Sequence, residues 1–325
     1  MTGVSYEHRL EGLEPDNLLA FLALLGLLVA LEHASPAWRP RVRWSWDAPP
    51  ARPVLVLREP VPGRSVCEAA AAGIAELAKA HDFHGRADLN HTVAEARASL
   101  EAGRSTGNYA AALQAALLSD AAVKVQQGKR LDQVEATPLC LLFGQGHQHF
   151  LDRLATVPRV DRPPPRGRGK TAVEVSPADC LAEALFAPWT RPDHTKSFRW
   201  DPVEGVRYAL MFGDPSDASN KQGTQHGANR LAAIGLTVFA AAPATRNNEV
   251  RLNLPGGAWQ NGFTLAWPLW TGTASLAAIT ALLLHPGLRD GSAPGVVQVR
   301  TARRFSLGKF MNFSEGRVEA GSAAP

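Results

Sequence analysis

Asp16-Asn17-Leu18-Leu19-Ala20-Phe21-Leu22-Ala23-Leu24-Leu25-Gly26-Leu27-Leu28-Val29-Ala30-Leu31 is the stretch on which the fold turns. Residues 18–31 carry no polar side chain. A helix of that length is too short for the ~30 Å hydrocarbon layer of a bilayer. It is therefore predicted to be a helix buried on most sides, capped by Asp16 or Asn17 and closed by Glu32-His33 before Pro36. Charged residues precede it in place of a basic leader, so neither a signal peptide nor a membrane anchor is expected.

Working outward, Val42-Arg43-Trp44-Ser45-Trp46 alternates apolar and polar, and Pro53-Val54-Leu55-Val56-Leu57 is a short β-branched run. Both read as strands. From Arg64 onward alanine and leucine dominate and proline almost vanishes, with helices predicted over 66–80, 93–100 and 109–119. Residues 158–170, with Pro163-Pro164-Pro165 and a run of arginines, read as a basic linker or exposed loop. Beyond it, helices are expected over 177–186, 227–239 and 276–284, and strands over 250–254, 262–267 and 296–300. The fold class is α+β: mixed sheet regions with a helical block inserted in the first half. The expected divisions are 1–62, a helical block over 63–157, the linker 158–170, a mixed region 171–320, and 321–325 as an expression scar.

The length of 325 residues suffices for a full core, usually as two domains or one with an insertion. A formal net charge of +4 says little, but its distribution says more. Arg153, Arg159, Arg162, Arg166, Arg168 and Lys170 form one basic run, and Arg300, Arg303, Arg304, Lys309 and Arg317 another. Each is either a solvated loop or a phosphate-contacting surface. Three separated cysteines, Cys67, Cys140 and Cys180, support neither a disulfide framework nor a zinc ribbon and suit a reducing, cytoplasmic setting.

Motifs for turnover are weak. Gly169-Lys170-Thr171 lacks the P-loop glycine, because that position is Pro164 and no strand precedes it. His81, His84 and His91 cluster without an HExxH or CxxC partner, which favours surface or capping histidines over a shared metal. Asp201, Asp214 and Asp217 sit in proline- and glycine-rich turns, where aspartates usually form Asx-turns. No GxSxG element occurs. The loop Phe143-Gly144-Gln145-Gly146-His147-Gln148-His149 reads as an ordinary turn or as one open to a ligand. Trp44, Trp46, Trp267 and Trp270 are expected in the core rather than stacked on bases.

Three segments carry a family resemblance. The first is Leu10-Glu11-Gly12-Leu13-Glu14-Pro15-Asp16-Asn17 with the apolar run that follows. The second is Asp201-Pro202-Val203-Glu204 with Arg207-Tyr208-Ala209-Leu210 and Gly213-Asp214-Pro215. The third is Gly227-Ala228-Asn229-Arg230-Leu231-Ala232, followed by Phe263 and Trp267-Pro268-Leu269-Trp270. In this order the chain resembles effector subunits of CRISPR subtype I-G, formerly I-U. The resemblance implies the short form of the large subunit of a Cascade-type surveillance complex. Its implied partners are guide RNA, the other Cascade subunits, target double-stranded DNA and a separate helicase-nuclease, with no membrane. Its implied task is to inspect the protospacer-adjacent motif (PAM) and help start the R-loop, while guide pairing reads the long sequence. Neither an enzyme nor a cofactor is implied.

Candidate nucleic-acid contacts are Lys221, Gln222, Asn229 and Arg230 in the central region, and Asn247 and Asn248 in a polar turn. Arg166, Arg168 and Lys170 are the electrostatic candidates. The resemblance covers only Asn229 and Arg230 among these, and the alternatives for Arg230 are pairing with Asp214 or capping a buried turn. Two other readings are an adaptor that docks the helicase-nuclease without reading DNA, and a metal-dependent hydrolase using the histidines and aspartates.

Overall fold

The apolar run folds as α1 (Leu18–Ala34), starting at Asn17, whose side-chain oxygen accepts from the Ala20 N–H. Its apolar residues spread around the whole helix, so it lacks a solvent face and is buried along almost all of its length. The computed structural model describes residues 4–126, 128–144, 147–159, 162–163, 165–166, 170, 172–204, 223–246, 249–307 and 310–321.

Before and after α1 run β1 (Val4–Arg9), β2 (Arg41–Ser45) and β3 (Arg52–Pro62), an antiparallel sheet of order β1-β3-β2. Both strands expected near here exist, and Trp44 faces Pro53 across the ladder. The stretch 63–157 holds α2 (Gly63–Leu77), α3 (Val93–Thr106), α4 (Asn108–Leu117) and α5 (Phe150–Thr156). It also holds a hairpin, β4 (Leu118–Gln126) with β5 (Lys129–Ala136), that the alanine-rich composition concealed. Val123 and Val125 set the extended pattern, and Gly128 occupies the turn at φ +75°. Thr92 and Glu95 form a reciprocal capping box at the start of α3.

In the second half come α6 (Pro177–Phe186), capped by Ser176, and α7 (His226–Gly235), all ten residues of which are buried. A hairpin of β6 (Ala242–Arg246) and β7 (Glu249–Asn253) follows. The larger sheet comprises β8 (Gly257–Gln260), β9 (Gly262–Trp270), β10 (Val296–Leu307), β11 (Phe310–Phe313) and β12 (Arg317–Gly321). β9 pairs along one edge of β10, while β11 and β12 share the other. The helix α8 (Leu276–Leu284) lies between β9 and β10 in sequence. The protein is thus mixed α+β.

α1 and α7 pack backbone to backbone. A β-carbon on Gly26 would fall 1.8 Å from the Leu231 carbonyl oxygen, and one on Gly235 2.3 Å from that of Leu22. The larger sheet meets α1 through Trp267, whose ring stacks on Phe21 at 5.7 Å and whose Nε1 donates to the Pro15 carbonyl at 3.0 Å. Trp270 packs edge-on to Trp44 and donates to the Val42 carbonyl. Trp267 and Trp270 are therefore core residues, at 0% and 1% exposure. One hydrophobic cluster extends from Leu10 to Phe313. No helix among the described residues is long and apolar enough to cross a membrane.

Candidate nucleic-acid interface

The three segments singled out in the sequence meet in one buried polar network. Asn17 donates through Nδ2 to Asp201 Oδ1 at 3.1 Å. Asp201 accepts two bonds from Arg191, at 2.6 and 3.2 Å, and one from the Val203 N–H. The last bond is the Asx-turn expected of an aspartate before proline. The Arg191 backbone N–H donates to the Gln225 side chain at 3.2 Å. The Gln225 carbonyl accepts from Asn229 Nδ2 at 3.1 Å, and the same amide donates to Thr224 Oγ1 at 2.9 Å. Thr224 in turn donates to Glu204 at 2.5 Å. Asn229 Oδ1 accepts from the Phe198 N–H.

Burial explains why these groups are so fully paired. Asp201 and Asn229 are both 0% exposed, where an unpaired carboxylate or amide would carry its whole desolvation cost. The network fixes the start of α1, the start of α7 and the chain on either side of residues 205–222, which lie outside the described residues.

The predicted contacts separate accordingly. Asn229 is an internal strut of this network. Arg230, one residue on, is 8% exposed and donates to the Pro158 carbonyl at 3.4 Å. Arg166 bonds Glu183 and the buried Asp193, whose second oxygen accepts from the His226 N–H at the start of α7. Its backbone also pairs with Val173, so it ties the basic segment to the core. Lys170 is exposed. Lys221, Gln222, Asn247, Asn248 and Arg168 lie outside the described residues, as do Asp214, Asp217 and Lys309.

Electrostatically, Arg230 stands apart. Among the described residues no carboxylate pairs with it, and burial lowers its pKa, with the neighbouring Arg162 adding to that. Arg304, on the C-terminal half of β10, is similar. It donates to the Cys140 carbonyl at 3.0 Å, lies over the Phe143 ring, and has its pKa lowered by burial. Of the second basic run, Arg300, Arg303 and Arg304 thus lie on β10 and Arg317 begins β12. Arg303 faces outward and donates to the Asn261 carbonyl, while Arg304 turns in.

The histidines have structural partners. His81 Nδ1 donates to the Leu154 carbonyl at 3.0 Å and Nε2 accepts from the Tyr109 hydroxyl at 2.8 Å. Burial pushes its pKa down to about 4, so it is neutral. His149 pairs with Asp88 at 2.9 Å in a loop closed by the Gly144 N–H bond to the Gln148 carbonyl. Gln145 and Gly146, at the centre of that loop, lie outside the described residues. Among the described residues no group of three His, Cys, Asp or Glu side chains is placed to hold a metal.

Arg191 and Asp193 were not foreseen as important. Both come from Arg191-Pro192-Asp193, a charged segment around a proline like many others, and only tertiary pairing distinguishes them. No family model, no curated protein and no solved structure matches this chain.

Proposed function

We propose that the chain is the large subunit of a type I-G CRISPR Cascade surveillance complex, contributing to PAM recognition, target DNA binding and R-loop initiation. The observation that carries this reading is convergence. Asn17, Asp201, Glu204 and Asn229 belong to three separate segments of the resemblance, yet they occupy one hydrogen-bonded network. Their meeting in one network supports reading the three segments as a unit. The network supplies the frame, and Arg230 supplies a cation whose charge no described carboxylate neutralises. A nucleic-acid phosphate would complete it. Lys170 and Arg162 extend the basic segment at the surface, and Lys221, Gln222, Asn247, Asn248 and Arg168 remain contact candidates on chemistry alone.

The test is co-purification of tagged protein expressed with the neighbouring effector subunits and a CRISPR array. The expected result is a complex holding guide RNA that shifts PAM-bearing duplex and releases it as salt rises. A monomeric, RNA-free product refutes the reading.

A second reading, the adaptor that docks the helicase-nuclease without reading DNA, is favoured by one feature. No Asp, Glu, Lys or Arg occurs between Arg251 and Arg289, and within this stretch α8 leaves Ala277, Ala278, Ala281 and Leu284 exposed. Leu284 alone is 63% exposed. Stable binding to the helicase-nuclease with no affinity for DNA would select this reading.

A further inference from the structure

A cleft of about 520 Å³ opens between one face of α3 and the turn that follows α2. That volume lies within the usual range for sites that enclose small organic ligands. It plays no part in the network above.

The walls have distinct chemistry. On the α3 side the lining is of small residues, Ala98, Ser99, Ala102 and Gly103, with Glu95 and Thr106 toward its two ends. α4 packs directly behind it: a β-carbon on Gly103 would lie 2.9 Å from Gln114 Cγ and 3.1 Å from the Ala110 carbonyl oxygen. The opposite wall includes the Phe83 ring, held edge-on against His81 with centroids 6.3 Å apart. A flat helix face opposite an aromatic ring makes a slot for a planar group.

At the inner end is His91, 5% exposed, whose enclosed Nδ1 has no hydrogen-bond partner among the described residues. Burial pushes its pKa down to about 4, with Arg86 adding to the effect, so at neutral pH the ring is an uncharged donor and acceptor. Gln114 also lines the cleft, and its side-chain amide has no hydrogen bond among the described residues. The cations at the rim are already paired, Lys79 with Glu76 and Arg86 with Glu95. The slot is therefore flat, uncharged at its centre, and polar at one end. An anion would find no free cation there, while Asp82 on the turn, which accepts from the His84 N–H, adds a carboxylate acceptor to the lining. A planar heteroaromatic ring carrying both donors and acceptors on its edge matches it.

We infer that this cleft binds a nucleobase, its faces lying between Phe83 and the Ala98–Ala102 surface and its edge meeting His91 and Gln114. The base arrives either on a free nucleotide or as an unpaired base of a nucleic-acid strand. The inference does not rest on the proposed function, since a nucleotide-binding protein of another kind would use the same slot.

The experiment is calorimetric titration of the full chain with each of the four nucleoside 5′-monophosphates, with a short single-stranded oligonucleotide and with its blunt duplex. Saturable binding is expected, weakened at least about tenfold by His91→Phe and by Ala98→Trp, which place apolar bulk at the base edge and in the slot. Ala98 is exposed, so its replacement leaves the melting temperature near wild type and decides the matter even where His91→Phe does not fold. Binding of mononucleotides identifies a free nucleotide as the source, and binding of the single strand alone identifies a strand base. The inference is overturned by no saturable binding at millimolar ligand, by binding that Ala98→Trp leaves unchanged, or by equal affinity for the duplex.

Discussion

Replacing Asp201 with alanine tests the central network most directly. The carboxylate is fully buried and accepts from Arg191 Nε and Nη2, Asn17 Nδ2 and the Val203 N–H. Removing it leaves a guanidinium whose side chain is only 15% exposed without its counter-charge. Breaking a buried pair from one side costs about 3–5 kcal/mol. Arg191 keeps some water, which places the expectation near the lower half, at about 3–4 kcal/mol. With a urea m-value of about 3 kcal/mol/M, the unfolding midpoint followed by tryptophan fluorescence falls by roughly 1 M. Asp201→Asn, which keeps the shape but turns a donor toward Arg191 or Asn17, falls by a smaller amount. As a control, Arg43→Ala removes a half-exposed pair with Glu7 and costs at most about 1 kcal/mol. In the double variant Asn17→Ala/Asp201→Ala the two costs add to less than their sum, because the Asn17 amide has already lost its acceptor. A midpoint for Asp201→Ala within about 0.3 M of wild type would show that the pair is screened like a surface bridge, and the network argument would fail.

Stability should also depend on pH through His81. Its pKa is about 4 in the fold and near 6.5 when unfolded, so protons favour the unfolded chain. The contribution is complete above pH 6.5 and is lost as pH falls toward 4, in total about 3 kcal/mol. Urea midpoints across that range should fall, and His81→Gln should flatten the trend; an unchanged slope in the variant contradicts the assignment. Cys67, Cys140 and Cys180 are buried, and burial pushes each thiol up to about 12. A thiol-reactive chromophore at pH 8 should therefore label them only after unfolding, and rapid labelling of the native protein would disprove their enclosure. Arg230→Met should be neutral or stabilising by about 0–2 kcal/mol, since it replaces a buried cation lacking a carboxylate. In the assembled complex it should lower the salt dependence of DNA binding by about one ion. A loss of more than about 2 kcal/mol would instead make its bond to the Pro158 carbonyl a structural tie.

Regular elements with strong periodicity were legible from residues alone. α1, α6 and α8 fall where expected, because an unbroken apolar run, a Ser-Pro cap and a Ser cap declare themselves locally. The β4–β5 hairpin and β6 did not, although β7 falls on the strand expected over 250–254. Ala121-Ala122 and Ala242-Pro243-Ala244 have weak strand preference, and pairing with a neighbour decides their shape. The site was legible as a set of segments but not as a function for each residue. Asn229 and Arg230 are adjacent in sequence, yet the first is consumed by internal hydrogen bonds and the second is left with one backbone carbonyl. Side-chain identity gives no hint of that division, which depends on where the helix turns relative to Phe198 and Pro158. Arg191 was invisible for the converse reason: an ordinary surface residue type became the partner of a buried carboxylate.

The crossing of α1 and α7 has an evolutionary consequence. Where leucine meets leucine, a larger residue on one side can be offset by a smaller one opposite, so such pairs drift together over time. At Gly26 and Gly235 each glycine faces main chain, and the main chain has no smaller substitute. Neither position can be rescued by its neighbour, so the pair should stand still while the surrounding aliphatic residues exchange. Two glycines spaced across most of a sequence, each inside an apolar helix, would then remain readable after the leucines between them have lost all likeness.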